Sequence, residues 1–154
     1  MGDIYDRSIQ FLRNENWNFT QSPDGNMIRF GFNGHNGNWN CFIRMDEDKS
    51  LFMFYSVLPV NIPEPKRAQI SEFITRANYD LLVGNFEMDL RDGEVRYKTS
   101  IDFADNPVGY SFIHRLIYGN LLLMDTYFSG FMNVCYSDVE PEEAIQKIEN
   151  KPST

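Results

Sequence analysis

The pair Asp92-Gly93 constrains the fold more than any other feature of this sequence, because stretches of alternating apolar and charged residues flank it. Asp-Gly favours a two-residue hairpin turn, since both residues tolerate a positive φ. Such a turn sets Asp89 opposite Arg96 and Glu87 opposite Lys98, so that the charged pairs have opposite signs. We therefore predict an antiparallel hairpin with one apolar face towards a core and one charged face in solvent.

Alternating patterns upstream of this hairpin predict more of the same sheet. Three strands are expected at Met27 to Asn33, Asn38 to Asp46 and Leu51 to Leu58, joined by loops of turn-forming residues. The third strand is apolar on both faces, which indicates that both faces are covered. The segment Asn18 to Asn26 before them has the composition of a linker. An antiparallel meander is therefore expected.

Two amphipathic helices accompany these strands. The first is expected at Asp3 to Asn14, where the apolar residues fall on one stripe and Asp3 is a candidate N-cap. The second follows Pro65, where apolar residues recur at helical spacing. These residues are Ile70, Phe73, Ile74, Ala77 and Leu81.

A long apolar helix dominates the last part of the sequence, from about Val108 to Tyr136 with an expected break near Gly130. A helix that is apolar around most of its girth needs cover on two sides. The sheet is one cover, and the alternatives for the other are a short last helix at Pro141 to Glu149, a second subunit or a ligand. We expect a homodimer contact here, with Tyr127 and Phe131 facing outwards. The residues expected at this interface are Phe112, Leu116, Met124, Tyr127, Phe128 and Phe131.

The elements together predict an α+β fold in the order α-βββ-α-ββ-α. A chain of 154 residues with 42% hydrophobic side chains is long enough to bury one sizeable core. No linker divides the chain into two halves that each have a core, so we expect one domain at residues 1–150 and a disordered tail at 151–154.

The charge balance excludes several classes of partner. Acidic residues outnumber basic ones 22 to 14, which gives a net charge of -8. Nucleic acids and anionic membranes attract basic patches, so neither is an expected partner. The most apolar stretch is broken by Asp125 and is too short to span a bilayer, and no signal peptide is visible at the N-terminus. We therefore expect a cytoplasmic protein.

The residues that most often carry chemistry are few and scattered. Cys41 and Cys135 lie in apolar surroundings, without the spacing of a zinc site, and are expected to be buried. His35 lies in a turn and His114 on the long helix, and neither has a nucleophile or an acid nearby in the sequence. No catalytic residue is expected.

Two short motifs point to ligands but fit turns better. The glycines of Gly31-x-x-Gly34-x-x-Gly37 lead from one strand to the next rather than into a helix, so a hairpin explains them better than a phosphate cradle. The acidic run Asp46 to Asp48 lacks the later ligands of a calcium loop. We expect no metal, no cofactor and no enzymatic activity.

Three segments of the chain resemble the YbjN family of bacterial proteins, which are described as sensory transduction regulators. They are Leu58 to Pro63 leading into Arg67 to Asn78, Leu82 to Asp89, and Asp92 to Thr99. The resemblance implies a fold like that of type III secretion chaperones, with a twisted antiparallel sheet flanked by helices. Those chaperones are small acidic homodimers that bind extended segments of effector proteins and do no chemistry.

The sequence therefore leads to two functional hypotheses. The first is a non-catalytic protein-binding, chaperone-like or regulatory module that acts as a homodimer on a protein partner. The alternative is a sensor of a small ligand, which would occupy an apolar pocket lined by Phe54, Tyr97 and Phe112.

Overall fold

The computed structural model describes residues 3–105 and 109–150. The expected tail at 151–154 and the expected first residue of the long helix, Val108, lie outside the described residues. The elements are helix α1 (Asp3–Asn14), strands β1 (Phe19–Gln21), β2 (Met27–Asn33), β3 (Asn38–Asp46) and β4 (Leu51–Val57), helix α2 (Arg67–Tyr79) after a 3-10 turn (Glu64–Lys66), strands β5 (Asn85–Met88) and β6 (Val95–Asp102), and helices α3 (Tyr110–Tyr136) and α4 (Pro141–Glu149).

The six strands form one antiparallel sheet in the order β1-β2-β3-β4-β6-β5. The predicted meander and hairpin are confirmed as parts of this sheet. The expectation of a linker before β2 is wrong in part, because Phe19 pairs with Phe30 and opens the edge strand β1. Three residues are too few to show an alternating pattern, and the strand is held by packing, since Trp17 stacks on Phe30 at 5.3 Å between ring centroids.

All four helices gather on one face of the sheet. Helix α3 lies against β4 and β6, and α1, α2 and α4 pack against α3 from outside. The large aromatic side chains Phe11, Phe54, Phe73 and Phe131 are fully buried between these layers. Burying such a side chain contributes roughly 1.5–3 kcal/mol. The second cover that the apolar helix needs is therefore supplied by the protomer itself, with α4 as part of it.

Helix α3 is continuous through Gly130, so the expected break there is wrong. The Cβ of an alanine at position 130 would lie 2.5 Å from Phe73 and 2.6 Å from Ile148. The glycine lets α2 and α4 approach α3 closely, and the helix continues through this contact.

The opposite face of the sheet carries no helix in the described residues. Phe52 and Phe54 point from β4 into the core, whereas Met53 and Val57 point the other way and stay half-exposed. The expectation that both faces of β4 are covered is therefore wrong for the protomer.

The hairpin between β5 and β6 forms with a register different from the predicted one. Glu87 lies opposite Arg96 rather than Lys98, and four residues, 90–93, form the loop. Gly93 has a φ of +80°, and a Cβ there would lie 2.2 Å from the carbonyl oxygen of Ile62. The Ile62 amide also donates to the Gly93 carbonyl at 2.8 Å. This contact with a distant segment favours the longer loop. Because the shift is two residues, the apolar side chains keep their face.

Candidate protein-binding groove beside helix α3

An open, mainly apolar groove lies where the first half of α3 crosses the edge of the sheet. It has a volume of about 330 Å³. We call it the α3 groove, and its lining residues are Val83, Thr99, Phe112, Arg115, Leu116, Gly119 and Leu123.

The loop between α2 and β5 forms one wall of the α3 groove. Gly84, with a φ of +79°, turns the chain tightly over β6, where a Cβ would lie 2.6 Å from the Lys98 carbonyl oxygen. The hydroxyl of Tyr97 donates to the carbonyl oxygen of Val83 and fixes this wall, and burial raises the pKa of Tyr97 to about 12. Leu82 is 98% exposed and Val83 is 59% exposed, although hydrogen bonds hold their loop. The apolar side chains are therefore presented to solvent by a fixed backbone.

The floor of the α3 groove is held by a buried polar network. The side-chain amide of Asn120 donates to the carbonyl oxygens of Phe54 and Tyr97, both at 3.1 Å, and to Oγ1 of Thr99 at 3.2 Å. Thr99 in turn donates to the Leu116 carbonyl oxygen at 3.3 Å. The amide nitrogen of Asn120 thus fixes the position of α3 over β4 and β6, whereas its buried Oδ1 has no partner among the described residues.

The other wall of the α3 groove belongs to the first turns of α3. Phe112 is 44% exposed there, and Arg115 is a cation at the rim that forms no ion pair with any described residue. The groove can therefore take an apolar side chain, and it offers one positive charge beside it.

The structure brings together only two of the six residues expected at an interface. Phe112 and Leu116 both line the α3 groove. Met124, Tyr127, Phe128 and Phe131 are buried in the core of the protomer. The outward orientation expected of Tyr127 and Phe131 is therefore wrong, because α2 and β5 cover them through Phe73 and Phe86. Their role at an interface stays a prediction.

Sequence reasoning missed Leu82 and Val83. Their only signal is that three large apolar residues, Leu81 to Val83, lie between Asp80 and Gly84, in a loop where polar residues are usual. The three residues expected to line a ligand pocket do not meet in one place. Phe54 and Tyr97 are fully buried in the core, whereas Phe112 is at the surface.

The histidines and cysteines lie apart from the α3 groove. His35 is exposed, and His114 packs between the rings of Phe11 and Tyr118. Cys41 and Cys135 are buried free thiols, and burial raises the pKa of Cys41 to about 12. Among the residues that the structure describes, no group of three or more His, Cys, Asp or Glu side chains could hold a metal ion.

The turn between β2 and β3 binds the carboxylate of Asp125, which belongs to α3. The backbone amides of His35 and Asn36 donate to the carboxylate of Asp125 at 3.2 and 2.8 Å. The side chain of Asn36 also donates to the Asp125 carbonyl oxygen. The glycine-rich loop is thus the turn of a β2–β3 hairpin, and hydrogen bonds hold it against α3. Asp125, although it lies in an apolar helix, has hydrogen-bond donors for its carboxylate.

Comparison with solved structures identifies the fold. The chain is similar to "YbjN, a putative transcription regulator from E. coli", with 11% identity and a TM-score of 0.61 over 78% of this chain and 84% of that chain. It is also similar to the ExsC–ExsE complex, with 12% identity and a TM-score of 0.50 over 77% of this chain and 85% of that chain. The HopA1–SchA chaperone–effector complex matches with 14% identity and a TM-score of 0.47 over 79% of this chain and 91% of that chain. The fold is an α+β fold of the type III secretion chaperone kind.

The family follows from the sequence. A family model described as "Putative bacterial sensory transduction regulator" matches residues 6–131. The chain belongs to the YbjN family, which confirms the resemblance noted above. A search of curated proteins finds no match. Across residues 3–105 and 109–150, none of the helices has the length and apolarity needed to cross a membrane.

Proposed function

We propose that this protein is a non-catalytic, chaperone-like module that binds a partner protein and acts as a homodimer in the bacterial cytoplasm. The observation that carries the proposal is the α3 groove, where Val83 and Phe112 expose large apolar side chains around one concave surface. Leu82, the residue before Val83, is also exposed. Exposed apolar clusters on a fixed backbone are typical of protein-binding surfaces. The family and the fold support a regulatory or chaperone role.

In the proposed complex, an extended segment of the partner places apolar side chains between Val83 and Phe112. The open shape of the groove favours a segment over a small molecule, which an enclosed cavity would surround on most sides. Arg115 would pair with a carboxylate of the same segment, because it has no ion-pair partner among the described residues.

The proposed homodimer uses the outer stripe of α3 beyond the groove. This stripe contains Leu122, Thr126 and Ser129, which are exposed and uncharged. The small side chains of Thr126 and Ser129 let two copies of one helix approach closely across a two-fold axis, and Leu122 adds an apolar contact. The same patch then serves both subunits.

The groove is tested by filling it without disturbing the fold. A Cβ at Gly119 would meet no atom within 4 Å, so Gly119→Gln places a polar side chain in the groove of an intact helix. Ala68→Gln, on the exposed face of α2, is the matched control. A photoreactive phenylalanine derivative at position 82 should crosslink to a protein in the producing bacterium. We expect Gly119→Gln to abolish the adduct and Ala68→Gln to leave it unchanged. An adduct that survives Gly119→Gln would contradict binding in the groove.

The dimer is tested by native mass spectrometry of the purified protein. We expect a mass of two chains, and Leu122→Glu should convert it into one chain with an unchanged circular dichroism spectrum. A wild-type protein of one chain at micromolar concentration would contradict the homodimer. A retained small molecule would instead favour a ligand sensor.

A further inference from the structure

The face of the sheet opposite the helices carries a basic surface in an otherwise acidic protein. The strand registers place Arg29, Phe42, Tyr55 and Lys98 side by side in one row across β2, β3, β4 and β6. We call this surface the open sheet face. Its residues are Arg29, Phe42, Arg44, Met53, Tyr55, Val57, Glu87, Arg96 and Lys98.

The charge of the open sheet face is opposite to that of the whole chain. Four of the 14 basic residues lie among these nine positions, but only one of the 22 acidic residues does. The other carboxylates on this side of the strands, Asp46 and Asp102, lie at the ends of β3 and β6. The centre of the face therefore carries a net positive charge in a protein whose net charge is -8.

The four cations differ in whether they already form an ion pair within the protein. Arg96 and Lys98 share Glu87, and these partners outweigh the opposing effect of its partial burial, so that the pKa of Glu87 is lowered. Arg29 and Arg44 form no ion pair with any described residue.

Arg44 lines a pocket together with four acidic residues, Asp24 and Asp46 among them, whereas the pocket that Arg29 lines contains none. Arg29 is thus the cation most available for a carboxylate from outside, and the three donors of the Lys98 ammonium can serve a second carboxylate beside Glu87.

The middle of the open sheet face is apolar. Phe42, Met53 and Val57 are half-buried there, and the guanidinium of Arg96 covers the ring of Tyr55 at 4.3 Å. Gly31 lies beside this centre on β2, where a Cβ would meet only Asn40, at 4.0 Å. Packing does not require a glycine at this position, and a glycine inside a strand often marks the close approach of another backbone.

We propose that the open sheet face binds an acidic, extended segment of a partner protein. An apolar side chain of the segment lies over Met53 and beside Phe42, whose ring centroid is 5.9 Å from the Arg29 guanidinium. One carboxylate reaches Arg29, and a second reaches Lys98, which shares its ammonium with Glu87. These two cations are three strand spacings apart, about 14 Å, which an extended chain covers in about four residues. The motif that fits is therefore acidic, any, apolar, any, acidic.

The other occupants fit less well. Two copies packed face to face would bring arginines against arginines, and like charges opposite one another are unfavourable. A single-stranded nucleic acid needs several free aromatic faces for stacking, and Arg96 already covers Tyr55. This proposal goes beyond the α3 groove, because Thr99 faces the groove on the other side of the sheet from Lys98.

The test is an NMR titration of the ¹⁵N-labelled full chain with the capped peptide Glu-Gln-Phe-Gln-Glu. We expect amide shift changes centred on Arg29, Phe42 and Lys98, and a loss of most of them when glutamine replaces both glutamates. Gly31→Glu should weaken binding by about tenfold, because it adds a negative charge and a side chain to the path of the segment. Ala68→Glu adds the same charge on α2 and should leave the Kd unchanged.

Three outcomes would overturn the proposal. The first is an equal response to the acidic and glutamine peptides, or none at millimolar concentration. The second is tighter binding of a ten-nucleotide oligothymidine at the same residues, which would assign the face to nucleic acid. The third is a change in subunit number on Arg29→Glu, which would assign the face to a second copy. The titration and the crosslinking at position 82 use different variants, so either proposal can fail alone.

Discussion

The two faces of the same sheet show how differently neighbouring residues of one strand are constrained. On β4, Phe54 points into the core and is fully buried, whereas Met53 beside it points to the open sheet face. Packing decides what the first position tolerates, because close-packed interiors leave no room for change. At the second position, the charge of the neighbouring residues and the access of a partner to the surface decide which residues are tolerated. The covered face therefore carries the stability of the fold, and the open face is free to carry binding.

The largest effect should come from truncating one residue on each face of β4. Phe54→Ala removes a fully buried ring and should lower the free energy of unfolding by about 3–5 kcal/mol, through lost burial and a residual cavity. Met53→Ala should cost less than about 1 kcal/mol. Urea unfolding of both variants checks this contrast. Equal losses would mean that the open sheet face is covered in solution.

A second test removes the polar network that ties α3 to the covered face. Asn120→Ala leaves the carbonyl oxygens of Phe54 and Tyr97 without this donor, which should cost about 1–3 kcal/mol. Thr75→Ala on the exposed side of α2 is the control and should change stability by less than about 0.5 kcal/mol. Thermal unfolding by circular dichroism gives both values. A neutral Asn120→Ala would show that α3 is held by apolar packing alone.

The glycines of α3 extend the comparison from the sheet to the helix. Gly130→Ala forces a methyl group against Phe73 and should destabilise the protein by about 1–3 kcal/mol. Gly119→Ala meets open space and should stabilise it by about 1 kcal/mol, since alanine favours a helix over glycine. Effects of the same sign on the unfolding midpoint would contradict the packing described for the two sides of α3.

The smallest effect concerns the ion pairs of the open sheet face. The pKa of Glu87 is lower in the folded protein than its ordinary value of 4.5, so its contribution is complete above that pH and is lost as the pH falls through the lowered value. The side chains are partly exposed, so Glu87→Gln should cost less than about 1 kcal/mol at pH 7. The difference from wild type should shrink as the pH falls from 5 to 2, measured by urea unfolding. A difference that grows in acid would contradict the sign.

Much of the fold could be read from periodicity. The strands β2, β3 and β4 begin and end within one residue of their predicted bounds, and α1 matches its prediction, because alternating and helical patterns with clear turns surround them. β1 could not be found, since its three residues carry no pattern and depend on Phe30 and Trp17 for their place. The hairpin register was missed for a similar reason, because Ile62 contacts Gly93 from another segment.

The candidate site could be predicted only in part. The sequence showed that α3 has too much apolar surface for one cover, and it named Phe112 and Leu116, which do line the groove. It could not show which stripe stays outside, because α1, α2 and α4 decide that by where they pack. The apolar pair Leu82 and Val83 gained meaning only when Gly84 and Tyr97 fixed their loop beside α3.

The sequence by itself determined most of the elements, the antiparallel pairing of strands that follow one another, and the family, because local periodicity, turn residues and motifs are written along the chain. Only the tertiary structure decided which residues lie together on each face of the sheet. It placed four basic residues together on one side of the sheet and opened a groove on the other. Such surfaces join residues that are far apart in the sequence, and their chemistry depends on which neighbours cover them. That cover is a property of packing in three dimensions, which no local pattern encodes.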